Sequence, residues 1–151
     1  MDNPSRHLSP RQFRGLEKLG DAYLPGDAQF PSFSACGCAE HVDCVLDYLP
    51  EDDRRDLKRL LWVLSLKPQF ALTAGVWMLE KTADLPIPLG GLLRFLRFGL
   101  KGLVISLYYS GETGTRYHGP SPLDLLDYHV SVYTGDLGDA KGENSQSAVL
   151  K

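Results

Sequence analysis

The chain has 151 residues, enough for one domain with a real core and too few for two; a domain of this size buries about 70% of its unfolded surface. Apolar residues at 43% and charged residues at 23% are ordinary globular values and exclude global disorder. A net charge of −3 and a pI near 5.8 remove the electrostatic case for nucleic-acid binding, which needs a clustered excess of Lys and Arg.

The opening residues, Met-Asp-Asn-Pro-Ser-Arg-His, contain neither an apolar signal core nor an adjacent arginine pair, and no run of 18 apolar residues occurs. These features predict a soluble cytoplasmic protein without an integral membrane segment. Three cysteines are an odd number and argue against a disulfide framework.

Residues 8–25 spell a helix with both ends marked. Ser9 is placed to N-cap it, Pro10 takes the first helical position, where a missing N–H is harmless, and Gln12 completes a capping box. Phe13, Leu16, Gly20 and Tyr23 then form one apolar face, ended by Pro25 and Gly26. A loop is expected over residues 26–35. In residues 38–49, Val42, Val45, Leu46 and Leu49 make the i, i+3, i+4, i+7 stripe of a core-facing helix.

Pro50 opens a third helix. Its first turn holds Glu51, Asp52 and Asp53, where the helix dipole favours anions, and its buried stripe is Leu57, Leu60, Leu61 and Leu64. Pro68 opens the next, residues 69–81, with Phe70, Leu72, Val76, Trp77 and Leu79 on more than one face. That pattern predicts a central, largely buried helix.

Pro86 and Pro88 make residues 84–88 an extended connector. Residues 89–109 form the longest apolar helix, with only Arg94, Arg97 and Lys101 charged, all on one face. Three charges give only a modest attraction to anionic lipid. A turn over residues 110–120 contains Gly111, Gly114, Gly119 and Pro120. It leads to Ser121 as N-cap, Pro122 at the first position and Asp124 in the first turn of a short last helix, residues 123–133. From Gly135 onward the residues are small and polar, which predicts a disordered tail. The fold class is therefore all-α: a single domain of about five to six helices over residues 1–134, with a flexible tail over 135–151.

Cys36, Cys38, His41 and Cys44 bring soft metal ligands within nine residues. Structural zinc sites usually join two distant pairs, and no second pair exists here. On a helix starting near Cys38, Cys44 turns away from Cys38 and His41. Small buried cysteines at a helix contact explain the same residues, and a cytoplasmic metal-binding regulatory protein is the alternative. His118 and His129 lie near Asp124 and Asp127, but His129 and Asp127 diverge on a helix, so a solvated face is the simpler account of them. Ser110 lacks the glycine pair of a nucleophile elbow. No GxGxxG, GxxxxGK[ST] or CxxCH occurs, so no flavin, nucleotide or c-type haem site is expected in this chain. No catalytic residue is assigned. Tyr and Arg supply much of the energy at protein interfaces. The stretch after the long apolar helix therefore supplies candidate partner contacts: Tyr108, Tyr109, Arg116, Tyr117 and His118.

The order of features resembles the gluconate 2-dehydrogenase subunit 3 family. The matching pieces are Leu8-Ser9-Pro10, Leu16-Glu17, Asp21-Ala22-Tyr23-Leu24-Pro25, Gly37 leading into Val42, Val45-Leu46 and Leu49-Pro50, then Tyr108-Tyr109-Ser110 before Gly119-Pro120. The resemblance implies a small helical, non-catalytic subunit that binds a larger FAD-dependent dehydrogenase or oxidase of the glucose-methanol-choline class and aids its folding, stability or export. That large subunit would act on an alcohol or sugar hydroxyl, and it would hold the FAD and the acid/base residues. Many such subunits carry a twin-arginine export signal; none is seen here, which favours a folding or stabilising role in the cytoplasm.

Overall fold

Helix α1 (Pro10–Tyr23) is organised as its sequence predicts. The Ser9 side chain accepts from the Gln12 N–H at 3.4 Å, and Gln12 Oε1 accepts from the Ser9 N–H at 2.8 Å, closing the capping box. Phe13, Leu16, Leu19 and Gly20 are buried. The computed structural model describes residues 4–82 and 90–127, with the backbone alone for Thr82 and residues 90–96. The described residues are mostly helical and contain no strand.

The other helices are α2 (Phe33–Cys36), α3 (Asp43–Leu46), α4 (Glu51–Ser65), α5 (Gln69–Thr82), α6 (Gly90–Tyr108) and α7 (Pro122–Leu125), with a 3-10 turn at Cys38–His41. Helix α1 is the hub, touching α2, α4, α5 and α6. Its most extensive contact is with α4, where Gly15 lies against the Leu61 carbonyl. Leu16, Phe33, Val42, Leu46, Leu61, Val104 and Tyr108 fill the core between these elements.

Three expectations change. The expected loop at 26–35 ends in α2, capped by the Ser32 hydroxyl, which accepts from Ala35 N at 3.2 Å. The expected helix over 38–49 breaks into the 3-10 turn and α3, because Gly37 enters it in the left-handed region (φ 68°) and no side chain caps either piece. Its inward residues hold their places: Val42 and Leu46 are fully buried. Helix α5 is not the buried centre. Leu72 is buried, but Phe70, Trp77 and Met78 face solvent. Helix α7 spans only Pro122–Leu125: Leu126 and Asp127 form a turn, with Asp127 in the left-handed region (φ 51°), so the expected helix over 123–133 stops early, and its residues from 128 onward and the 135–151 tail lie outside the described residues.

Lys18 closes the α4 C-terminus. Its Nζ donates to the carbonyls of Ser65 and Lys67, both at 2.9 Å, meeting acceptors that a helix end leaves open. Replacing Lys18 by Met is expected to destabilise the fold by about 2 kcal/mol, the scale of lost charge-assisted hydrogen bonds. Urea unfolding of the variant measures it.

The segment before α1 is pinned to α3. Ser5 Oγ donates to Asp43 at 2.5 Å and the Arg6 N–H does so at 2.7 Å, while the His7 ring and the Arg6 guanidinium meet Asp47 at 2.7 and 2.9 Å. Burial opposes ionisation of Asp43, but the Ser5 and Arg6 hydrogen bonds outweigh it and hold the carboxyl below its ordinary value. The His7 hydrogen bond does the same for Asp47. A carboxyl depressed in the folded state stabilises above its unfolded pKa, about 4, and that stability disappears as the pH falls through the lower folded value. The urea midpoint should therefore drop below pH about 4, and the acid slope should be shallower for Asp43→Asn.

Candidate partner interface

The chain after α6 turns back over the short helices near Gly37. The Gly114 N–H donates to the Cys36 carbonyl at 2.8 Å, and the Thr115 N–H donates to the Glu40 carboxylate at 3.0 Å. A Cβ on Gly114 would stand 2.7 Å from Gly37 Cα, so the two backbones meet where neither position has room for a side chain. His41 completes the seat, its Nε2 3.0 Å from the Thr113 carbonyl, which makes Nε2 the protonated nitrogen.

This seat accounts for Cys36, Cys38 and His41. Cys36 and Cys38 are fully buried and their thiols donate to the Phe33 carbonyl at 3.3 and 3.7 Å, whereas Cys44 is exposed. The neighbouring Cys38 thiol eases ionisation of Cys36, and the same pairing, with burial, pushes the Cys38 thiol up. Among the described residues, no three His, Cys, Asp or Glu side chains converge as a metal site would require.

The aromatic and basic candidates separate into two groups. Tyr108 belongs to the core at 2% exposure, its hydroxyl donating to the Pro31 carbonyl, and burial pushes that hydroxyl's pKa up. Tyr109 packs edge-on against it with ring centroids 5.0 Å apart. Substituting Tyr108 therefore acts on the fold rather than on a partner. Tyr117 is half-buried and donates to the Pro120 carbonyl at 3.1 Å, while Arg116 and His118 face solvent.

Arg116 and Tyr117, with Arg14, Glu17 and Glu40, line an open cleft of about 750 Å³. Burial pushes the Glu17 carboxyl up, and neighbouring Asp21 adds to the shift. Mixed guanidinium and carboxylate groups around an aromatic ring suit a polar peptide segment. Ser110 serves the turn, its hydroxyl donating to the Leu107 carbonyl at 2.8 Å and accepting from Glu112 N at 3.2 Å. Asp124 closes the capping box of α7 with Ser121. His129 lies outside the described residues.

Sequence reasoning missed a larger surface. Phe70, Trp77 and Met78 of α5 are 76, 65 and 62% exposed, and Trp62, Val63 and Leu66 near the α4 C-terminus are exposed as well. Residues 70, 74, 77 and 78 share one stripe at helical spacing. The available signal was that α5 is apolar on every side in a domain with too few helices to enclose it. Among the described residues no helix is long and apolar enough to cross a membrane. Comparison with protein-family models, curated proteins and solved structures finds no match.

Proposed function

We propose that this chain is a cytoplasmic, non-catalytic small subunit that binds a larger FAD-dependent alcohol or sugar dehydrogenase or oxidase subunit and stabilises it or helps it fold. The bare α5 face carries the binding half of this reading. A small soluble chain gains nothing from holding a Phe, a Trp and a Met in water on one stripe. Trp and Tyr dominate hot spots where a partner covers them, and Arg116 and Tyr117 in the cleft add polar contacts of the kind found at an interface rim. The flavoprotein identity of the partner rests on the sequence resemblance.

Co-expression with a candidate large FAD-dependent alcohol or sugar dehydrogenase subunit, and expression of each chain alone, tests the reading. A yellow complex that co-purifies only when this chain is present supports it. The double variant Phe70→Ser with Trp77→Ser should weaken that complex at least about 100-fold, because each anchor is worth on the order of 2 kcal/mol. Its own urea midpoint should not fall. A flavoprotein that folds fully loaded without this chain overturns the proposal. A colourless chain carrying stoichiometric metal by elemental analysis overturns it in favour of a metal-binding role.

A further inference from the structure

The corner where α4 turns into α5 has a chemistry of its own. Residues 66–68 join the two helices, and within residues 62–70 four large apolar side chains reach solvent: Trp62, Val63 and Leu66 are 44, 43 and 60% exposed, and Phe70 is more exposed still. Trp62 and Leu66 lie one turn apart on α4 with Val63 beside them. The charges around them have one sign. Residues 57–79 contain Lys58, Arg59 and Lys67 but no Asp or Glu. Arg59 is taken by Asp56 at 3.1 Å, one turn back along α4. Lys67 and Lys18 remain at the corner itself, and among the described residues neither pairs with a carboxylate. Lys is depleted from protein interfaces. Exposed Trp, Leu and Phe flanked by Lys, with no acid among them, is the pattern of a surface that lies in a lipid headgroup layer.

The backbone of the corner is suited to the same surroundings. Non-helical chain can leave water only where its carbonyls are already met. The Trp62 carbonyl accepts from the Ser65 hydroxyl at 2.6 Å, and those of Val63 and Leu64 accept from the N–H groups of Leu66 and Lys67. Lys18 Nζ meets the carbonyls of Ser65 and Lys67, and the N–H groups of Ala71 and Leu72 meet that of Pro68. The ammonium that closes these carbonyls thus also brings positive charge to the corner.

We propose that the α4–α5 corner docks reversibly on an anionic lipid surface. Trp62, Val63, Leu66 and Phe70 enter the boundary between headgroups and acyl chains, and Lys67 and Lys18 lie at the level of the phosphates. Four partly exposed side chains and two cations bind no more tightly than a single acyl chain, with a partition constant of about 10³–10⁴ M⁻¹. Trp77 and Met78 stand two turns further along α5 and stay available to a protein partner, Phe70 being common to both faces. The lipid test uses this chain alone and substitutes Leu66 and Lys67, which the partner test leaves in place, so either reading can fail without the other.

The chain has two tryptophans, so Trp77→Phe leaves Trp62 as the one indole reporting from the corner. Titration of that full-length variant with phosphatidylcholine vesicles containing about 30% phosphatidylserine should shift its emission to the blue, half-completed at about 0.1–1 mM lipid. Vesicles of phosphatidylcholine alone should bind at least about 10-fold more weakly, because the attraction of the lysines is missing. Leu66→Ser and Lys67→Glu, added singly to this variant, should each weaken binding to the anionic vesicles by about 5-fold or more. Both side chains are exposed, so urea midpoints should not fall and loss of binding cannot be put down to unfolding. A Trp62 emission that stays unshifted up to about 2 mM anionic lipid overturns the proposal, and a partner protein or a second copy then covers the corner. Equal binding to the two kinds of vesicle overturns it as well, as does binding that neither substitution weakens.

Discussion

Phe33→Ala is expected to lower the unfolding free energy by about 4 kcal/mol, a large part of the roughly 5–15 kcal/mol that holds a domain of this kind together. The ring is fully buried at the first position of α2 and lies over Gly20 of α1. No side chain at Gly20 can move into the space left behind, so the cavity stays open and the cost falls within the range for aromatic truncation. The surrounding contacts are also anchored. The Phe33 N–H donates to the Leu24 carbonyl at 3.1 Å, and the Asp21 carboxylate accepts from the Ser34 N–H and hydroxyl at 2.8 and 2.7 Å. Urea unfolding should show a lower midpoint with an unchanged slope.

The pairing of Phe33 with Gly20 gives a sharper form of the same test. A Cβ on Gly20 would stand 2.0 Å from the Phe33 ring, so Gly20→Ala alone must push the ring aside and destabilise. In the Phe33→Ala background that obstacle is gone and the added methyl fills part of the cavity. The double variant should then be more stable than the sum of the two single losses predicts, by at least about 1 kcal/mol. Simple additivity would mean that ring and glycine do not share the space.

What the sequence disclosed follows the range of the forces involved. The start of α1 was readable because Ser9, Pro10 and Gln12 act on backbone groups three residues away, and the same holds for Ser121, Pro122 and Asp124 at α7. The inward stripe of residues 38–49 was readable for Val42 and Leu46, although the continuous helix was not. A 3-10 turn fed by Gly37 in the left-handed region keeps much the same inward spacing while changing the backbone. The burial of α5 was misread because apolar residues on all sides imply a cover without saying whether the same chain supplies it. Tyr108 was misread for the opposite reason. Its tyrosine-rich, loop-flanking position suggested an interface, but a partner 77 residues away, the Pro31 carbonyl, claims its hydroxyl. The docking of Gly114 on Gly37 and of His41 on Thr113 is equally non-local, and no spacing rule reaches it.

Gly15→Ala is the other substitution expected to act strongly, even though alanine is the better helix former by about 1 kcal/mol. The new Cβ would lie 2.0 Å from the Leu61 carbonyl oxygen. That atom is backbone in a helix, so it cannot turn away as a side chain would, and α1 and α4 must part to admit the methyl. Polar ties on either side resist the separation. One turn before Gly15, the Gln12 side chain donates to the Lys58 carbonyl at 3.1 Å, and one turn after it Lys18 donates to the carbonyls of Ser65 and Lys67. Positions 12, 15 and 18 thus form one stripe of α1 that reads the α4 backbone directly, and lifting its middle strains both ends. The expected net loss is about 3 kcal/mol, from overpacking and weakened hydrogen bonds set against the propensity gain. Gly75→Ala provides the control, because a Cβ there meets nothing within 4 Å. It should stabilise by about 0.5–1 kcal/mol. Opposite signs at two mid-helix glycines, read by urea unfolding, would show that α1 and α4 touch backbone to backbone; a stabilising Gly15→Ala would show that they do not.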